Sequence, residues 1–196
     1  MPDTPRGTLI LVVGPSGAGK DSLLKAAAGR LADDGRFVFP ARVITRPADA
    51  GGEAHVPASP EAFQAARERG DFALAWHAHG TDYGIPATIE DDLAAGRSVV
   101  VNVSRGVIDE ARRRLAPVRV VLVDAPDAVL AERLVARGRE GREAVQERID
   151  RARAAMPAGD NVVRVMNDGA FATAADRFVA ALVRAHEDGA SVTTSS

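Results

Sequence analysis

An α/β fold with a central parallel sheet is predicted by three observations. Apolar runs rich in β-branched residues recur along the chain: TLILVV at 8–13, SVVVNVS at 98–104 and VRVVLVDAP at 118–126. Each is followed by a stretch whose apolar residues have helical spacing. The first run ends at Gly14 in the loop GPSGAGK, which leads directly into such a stretch. Strands alternating with helices build right-handed βαβ units, cover their sheet on both sides and bind ligands at the carboxyl ends of the strands.

The elements follow in order. TLILVV reads as a buried parallel strand, and Lys20 to Leu31 as a helix with Leu23, Leu24, Ala27 and Leu31 on one face. FVFPARVI (37–44) reads as a strand that Pro40 confines to an edge or an irregular start. The Gly-, Pro- and Ala-rich stretch from Arg46 to Pro60 is expected to be irregular. Ser59 then caps a helix with Pro60 at its first position, ending near Gly70. DFALAWHAHG predicts a strand running into a turn, TDYGIP a turn, and Ala87 to Ala95 a short helix closed by Gly96. After the strand at 98–104, Ser104 is expected to cap a helix reaching Leu115. After 118–126 comes a helix from Asp127 to Arg137, then an arginine-rich helix from Glu143 to Met156 stopped by Pro157. NVVRVMND (161–168) is the last strand and Thr173 to His186 the last helix. The polar tail, 189–196, is expected to be disordered.

Composition narrows the function. The chain has 196 residues, enough for one domain of about 1–188 with a sizeable core. A net charge of -2 argues against a general nucleic-acid or anionic-membrane binder, so any anion site must be a local cluster of basic residues. No cysteine is present, which excludes disulfides, thiolate catalysis and cysteine-ligated metals and fits the cytoplasm. The first apolar run lacks a basic leader and is too short for a signal peptide, and no stretch is long enough to span a membrane. Lysine occurs only at Lys20 and Lys25, and the first of these stands where a phosphate loop needs it.

Gly14, Gly19 and Lys20 match G-x-x-x-x-G-K. Such a loop wraps phosphate with backbone N–H groups from Gly14, Pro15, Ser16, Gly17, Ala18 and Gly19, proline contributing only its place in the turn. The following helix aims its positive end at the anion, and Lys20 supplies a point charge to the outer phosphates. Asp21 stands where Ser or Thr is usual. A carboxylate is a hard oxygen ligand that suits Mg²⁺; an acid in the first helical turn also favours the helix dipole with no metal at all. Both readings of Asp21 stay open. Ser22 is a second metal candidate, but it lies about 100° further round the helix.

At this point the chain resembles the guanylate kinase-like P-loop kinases, and most of all the ribose 1,5-bisphosphate phosphokinase family. GPSGAGKDSLL, RVITRP (42–47), HGTDYGIP (79–86), VNVSRG (101–106), RLVARGRE (133–140) and MND (166–168) carry the resemblance from about Thr8 to His186. It implies a three-layer nucleoside-monophosphate-kinase-like fold with an acceptor-binding insertion near 36–96 and an arginine-rich lid near 133–156. ATP and Mg²⁺ are the implied cofactors and a phosphorylated sugar the implied partner, in a monomer or homodimer. By the resemblance, the reaction converts ribose 1,5-bisphosphate to 5-phosphoribosyl 1-diphosphate in phosphonate breakdown; the alternative is a guanylate kinase turning ATP and GMP into ADP and GDP.

Residue roles follow from the resemblance. Lys20, Arg137 and Arg148 are expected to touch the transferring phosphates, and Asn167 and Asp168 to lie near the adenine. Arg42, Arg46, His77, Tyr83, Asn102 and Arg105 are candidate acceptor contacts. Arg139, Arg151 and Arg153 read instead as a solvated helical face, and Asp124 as a turn residue. Three departures from guanylate kinase concern the acceptor. Thr45-Arg46-Pro47 is followed by no second arginine, His77 stands where a glutamate would read the base, and Asn102 replaces an acid. A neutral His offers one acceptor where a carboxylate offers several, so phosphate-reading groups persist while base-reading groups are missing. An acceptor phosphate is already anionic at neutral pH, its second pKa being about 6, and so needs no general base.

Overall fold

Five strands run parallel in one sheet, set by a chain that leaves its first strand, passes outward and returns beside it. The computed structural model describes residues 5–47, 54–136, 142–159 and 161–193. The first strand, β1 (Leu9–Val13), is completely buried. Because successive side chains point to opposite faces, Ile10 and Val12 enter one apolar core, while Leu9, Leu11 and Val13 enter the other. The first core packs against α1 (Lys20–Arg30), α5 (Asp127–Ala136), α6 (Arg142–Ala154) and α7 (Phe171–Thr193). The second packs against α3 (Ile89–Ala94) and α4 (Ile108–Arg114). A sheet with helices on both faces is the three-layer α/β architecture the sequence predicts.

β2 (Phe37–Val38) is an edge strand paired with β7 (Ser98–Asn102), and β7 pairs with β1. On the other side β8 (Val118–Asp124) pairs with β1 and with β9 (Val162–Met166). The parallel winding puts the loop after β1, Asn102 of β7, Asp124 of β8 and Asn167 after β9 along one edge of the sheet.

The expected strand at 37–44 divides at Pro40. Its first half stays in the main sheet, and its second half, β3 (Val43–Ile44), opens a separate four-stranded sheet, β4-β3-β6-β5. The stretch expected to be irregular contains β4 (Val56–Pro57), where Pro57 is tolerated because the strand lies at an edge. Ser59 caps α2 (Pro60–Glu68) through Ala62 N, as expected.

TDYGIP is a strand and not a turn. β5 (Phe72–Ala78) pairs antiparallel with β6 (Thr81–Pro86), and the reversal is made by His79 and Gly80, with φ of 53° and 72°. Two left-handed residues make the hairpin turn whose twist suits the flanking strands. Ser104 makes no side-chain cap; a 3-10 turn at Arg105–Val107 precedes α4. The last helix continues to Thr193, so residues 189–193 of the tail expected to be disordered are helical. At Gly189 an added Cβ would lie 1.8 Å from Thr8 Oγ1, so only glycine lets the helix descend onto the start of β1.

Candidate active site

The loop after β1 is shaped by what presses on it. At Gly14, φ is 150° and a Cβ would sit 2.0 Å from the Val123 carbonyl oxygen, so the chain can leave β1 beside β8 only as glycine. Gly19, at φ 91°, precedes α1, and a Cβ there would lie 2.4 Å from Asn167 Nδ2. No side chain caps α1 among the described residues, and a helix N-terminus that follows a glycine loop is a place for an anion. Lys20 Nζ donates to the carbonyls of Gly14 (2.8 Å) and Pro15 (3.1 Å), placing the ammonium at the mouth of the loop.

The loop rests on a floor of other strands. Asn167 is buried; its Nδ2 donates to Ala18 O at 2.8 Å and its backbone N–H to Asp124 O at 2.7 Å. Arg133, from α5, donates to Gly17 O (3.2 Å) and Asn167 O (3.3 Å). Arg148, from α6, donates to Ser16 Oγ at 3.0 Å. Two guanidiniums from the arginine-rich segment thus reach the phosphate loop. Arg137 and Arg139 lie outside the described residues. Asp168 is exposed and pairs with Arg177 at 3.3 Å.

Between the loop and the second sheet lies a connected polar and aromatic group. Asn102 Nδ2 donates to Asp21 Oδ1 at 2.8 Å, and Arg42 donates to the Asn102 carbonyl at 2.9 Å. Arg42 stands over the rings of Tyr83 (5.1 Å) and Trp76 (5.8 Å), which stack on each other at 5.3 Å across β5 and β6. Burial pushes the Arg42 guanidinium down to about 10, opposed by the nearby Asp21 carboxylate. It therefore keeps its charge at neutral pH inside an aromatic wall, where cation–π attraction is strongest.

Arg46 lies further along the same segment, lining an open depression of about 370 Å³ with Thr45, Ser59 and Pro60. Its Nε is buried with no hydrogen-bond partner among the described residues. Thr45 is fixed by Asp82, whose N–H donates to its Oγ1 at 2.8 Å. His77 is exposed and pairs through Nδ1 with Asp82 at 2.8 Å.

Other expected site residues lie elsewhere. Ser22 faces a separate groove with Lys25, Ala26 and Phe171, away from Asp21. Arg105 donates to Ala152 O at 2.6 Å and so meets α6 from the side of the sheet edge. Arg151 is exposed, as a solvated face requires, but Arg153 is not part of that face. It donates to both carboxylate oxygens of Asp124 (2.7 and 2.6 Å), to Ala125 O and to Asp127. Asp124, read from the sequence as a turn residue, is 1% exposed and also meets Arg164 at 2.7 Å. The clasp fastens the end of α6 to the end of β8. Trp76 was also missed, although as the chain's one tryptophan, seven residues before its one tyrosine, it carried a signal.

Residues 9–158 match the AAA domain family AAA_33. A ribose 1,5-bisphosphate phosphokinase PhnN from Acidiphilium cryptum is 49% identical over 92% of this chain and 95% of its own length. The one from Rhodopseudomonas palustris is 51% identical over 77% of each chain. A bifunctional ribose 1,5-bisphosphokinase-thymidine phosphorylase from Azorhizobium caulinodans is 48% identical over 90% of this chain, which spans only 26% of that protein. Among solved structures, guanylate kinase from Anaplasma phagocytophilum has a TM-score of 0.62 at 20% identity, covering 93% of this chain and 87% of its own, a likeness of fold alone. Matched over most of its length by relatives at about half identity, the chain belongs to the ribose 1,5-bisphosphate phosphokinase family of P-loop kinases, built on a guanylate kinase-like fold.

Proposed function

We infer that the protein transfers the γ-phosphoryl group of ATP to the 1-phosphate of ribose 1,5-bisphosphate, giving 5-phosphoribosyl 1-diphosphate and ADP. The observation that carries this reading is how the acceptor side spends its polar groups. His77 pairs with Asp82, and Asn102 pairs with Asp21. The position where a glutamate would read the base is therefore already engaged, Asn102 stands in place of an acid and is engaged with Asp21, and Arg46 keeps a buried Nε without a hydrogen-bond partner among the described residues. A phosphorylated sugar without a base fits that seat.

The reaction forms a bond from an acceptor phosphate oxygen to the γ-phosphorus and breaks the bond to the β,γ-bridging oxygen, which leaves with ADP. The anionic acceptor needs no proton removed, so the side chains have mainly to bring two anions together. Two unit charges 4 Å apart repel by about 4 kcal/mol at an effective dielectric of 20, and phosphates carry more than one. Lys20 and Arg148 on the donor side, with Arg42 and Arg46 on the acceptor side, offset this repulsion. We assign Arg137 the same task as Arg148, and residues 133–156 the work of a lid that excludes water. Residues 36–96, including the second sheet and α2, form the acceptor-binding part.

The donor set fits Mg²⁺ through one hard oxygen: Asp21 Oδ1 accepts from Asn102 Nδ2, and no hydrogen bond to Oδ2 is found among the described residues. Among the described residues no cluster of three or more His, Cys, Asp or Glu could hold a metal, so nucleotide phosphates and water would have to supply most of its ligands. Bound there, Mg²⁺ would neutralise charge on the β- and γ-phosphates. Asp21 is its protein ligand in this reading and Ser22, facing another groove, is not. Asn167 holds the loop and Asp168 lies at the adenine side. No helix among the described residues is long and apolar enough to cross a membrane, and we place the enzyme in the cytoplasm as a monomer or homodimer.

The test is to follow the label from γ-³²P ATP with ribose 1,5-bisphosphate as acceptor. The expected product is a sugar 1-diphosphate labelled in its outer phosphate. Label released only as inorganic phosphate, or carried on the 5-phosphate, would overturn the reading.

A further inference from the structure

In P-loop phosphotransferases, Mg²⁺ is held by the Ser or Thr that follows the loop lysine and by an Asp from a neighbouring strand. In this chain both positions are altered together. The residue after Lys20 is Asp21, and the residue facing it from the end of β7 is Asn102, 81 positions away. β7 is the direct neighbour of β1, with Val12 opposite Asn102. The two side chains touch, Asn102 Nδ2 donating to Asp21 Oδ1 at 2.8 Å.

We propose that Asp21 and Asn102 are a reciprocal exchange of the metal-site pair: the carboxylate has moved from the strand to the helix, and the neutral hydrogen-bond donor from the helix to the strand. The net charge of the pair is unchanged at one negative. Asp21 Oδ2 and Asn102 Oδ1 are left as one charged and one neutral hard oxygen, the combination a small divalent cation accepts. The Asn102 amide and the Arg42 guanidinium beside Asp21 offset the cost of an acid next to a polyphosphate. Asn102 thus positions Asp21 through Nδ2 and offers Oδ1 beside it as a second oxygen.

Arg42 extends the pair. Its guanidinium holds the carbonyl of the same Asn102 at 2.9 Å and feels the Asp21 carboxylate. A residue assigned to the acceptor and the metal carboxylate therefore share one support, so displacing Asn102 disturbs both seats.

The inference rests on the nucleotide-binding reading of the loop and not on the identity of the acceptor. The experiment accordingly uses only protein, ADP and Mn²⁺, with no acceptor present. Mn²⁺ binding to the protein–ADP complex is titrated by electron paramagnetic resonance for the wild type, Asp21→Ser, Asp21→Asn, Asn102→Asp and the double variant Asp21→Ser/Asn102→Asp. ADP affinity in EDTA is measured alongside and reports whether each loop is intact. Both single changes at Asp21 are expected to weaken Mn²⁺ binding by about tenfold or more, with metal-free ADP bound at least as tightly because a negative charge has gone. The double variant is expected to regain Mn²⁺ affinity to within about threefold of the wild type, a non-additivity that only a shared site produces. Mn²⁺ affinity unchanged in Asp21→Ser and Asp21→Asn would overturn the proposal. So would a double variant as weak as Asp21→Ser while still binding metal-free ADP, or loss of metal-free ADP binding in both Asp21 variants, which marks a structural acid.

Discussion

Arg153→Met removes the centre of the clasp between α6 and β8 and leaves most of the side chain's apolar stem in place. The carboxylate of Asp124 is buried, takes hydrogen bonds from Arg153 (2.7 and 2.6 Å) and from Ala125 N–H (2.8 Å), and is ion-paired with Arg164 at 2.7 Å. Stripping a buried charge of its partner costs about 3–5 kcal/mol. Here one arginine and one amide remain, and the Arg153 side chain is itself 29% exposed, so part of its charge is already solvated. The expected loss is about half of the full penalty, or about 2 kcal/mol. With an m-value of about 2 kcal/mol per molar, the urea midpoint falls by about 1 M. Arg153→Met/Arg164→Met should approach the full penalty, and adding Asp124→Leu should recover most of it because no buried charge is left. A midpoint shift within error for Arg153→Met, or no recovery on adding Asp124→Leu, would show that the clasp does not stabilise a buried charge. The clasp also holds the end of α6, so Arg153→Met is expected to raise the KM for ATP through the misplaced Arg148.

Three other changes test separate parts of the molecule. Gly19→Ala forces a side chain into φ 91° and onto the Asn167 amide 2.4 Å away; a loss of about 1–3 kcal/mol and of measurable ATP binding in calorimetry is expected. Tyr83→Leu removes one ring beneath Arg42, and a loss of about 1 kcal/mol, or roughly fivefold, should appear in the acceptor KM with ATP affinity unchanged. His186 is pushed below its ordinary 6.5 by burial and then by Arg36, against the opposing charges of Asp34 and Glu187. Its folded value is lowered, so the unfolded chain takes up a proton first, and stability falls as pH drops below 6.5 towards the folded value. Urea midpoints between pH 7 and pH 5 should decline less in His186→Gln than in the wild type, and parallel declines would remove His186 as the cause.

What could be read from the sequence was what lies close together along the chain. β1, the loop and α1 are contiguous, and each part has its own local signal: an apolar run, glycines and a lysine, and helical spacing. The hairpin β5–β6 was hidden because Thr81-Asp82-Tyr83-Gly84-Ile85-Pro86 is rich in turn formers, whereas the actual turn uses His79 in a conformation more usual for Asn or Gly. Missing that hairpin also hid the Trp76–Tyr83 stack, which exists only once the two strands pair. The clasp joins Asp124 to residues 29 and 40 positions away, and no periodicity announces such a pair. An arginine beside many others on a helix looks solvated until the strand it meets is known. The meeting of Asp21 with Asn102 was likewise invisible as a contact, although both substitutions stood out singly.

The relation of the two seats is tested most directly by the ratio of kcat/KM for ribose 1,5-bisphosphate to that for GMP, measured with the same enzyme, ATP and Mg²⁺. With His77 engaged by Asp82 and Asn102 by Asp21, the proposed acceptor site leads to an expected ratio of about 10³ or more in favour of the sugar, since a base offered no matching hydrogen bonds is strongly rejected. A ratio near or below one would contradict it, and would mean that the second seat reads a purine after all.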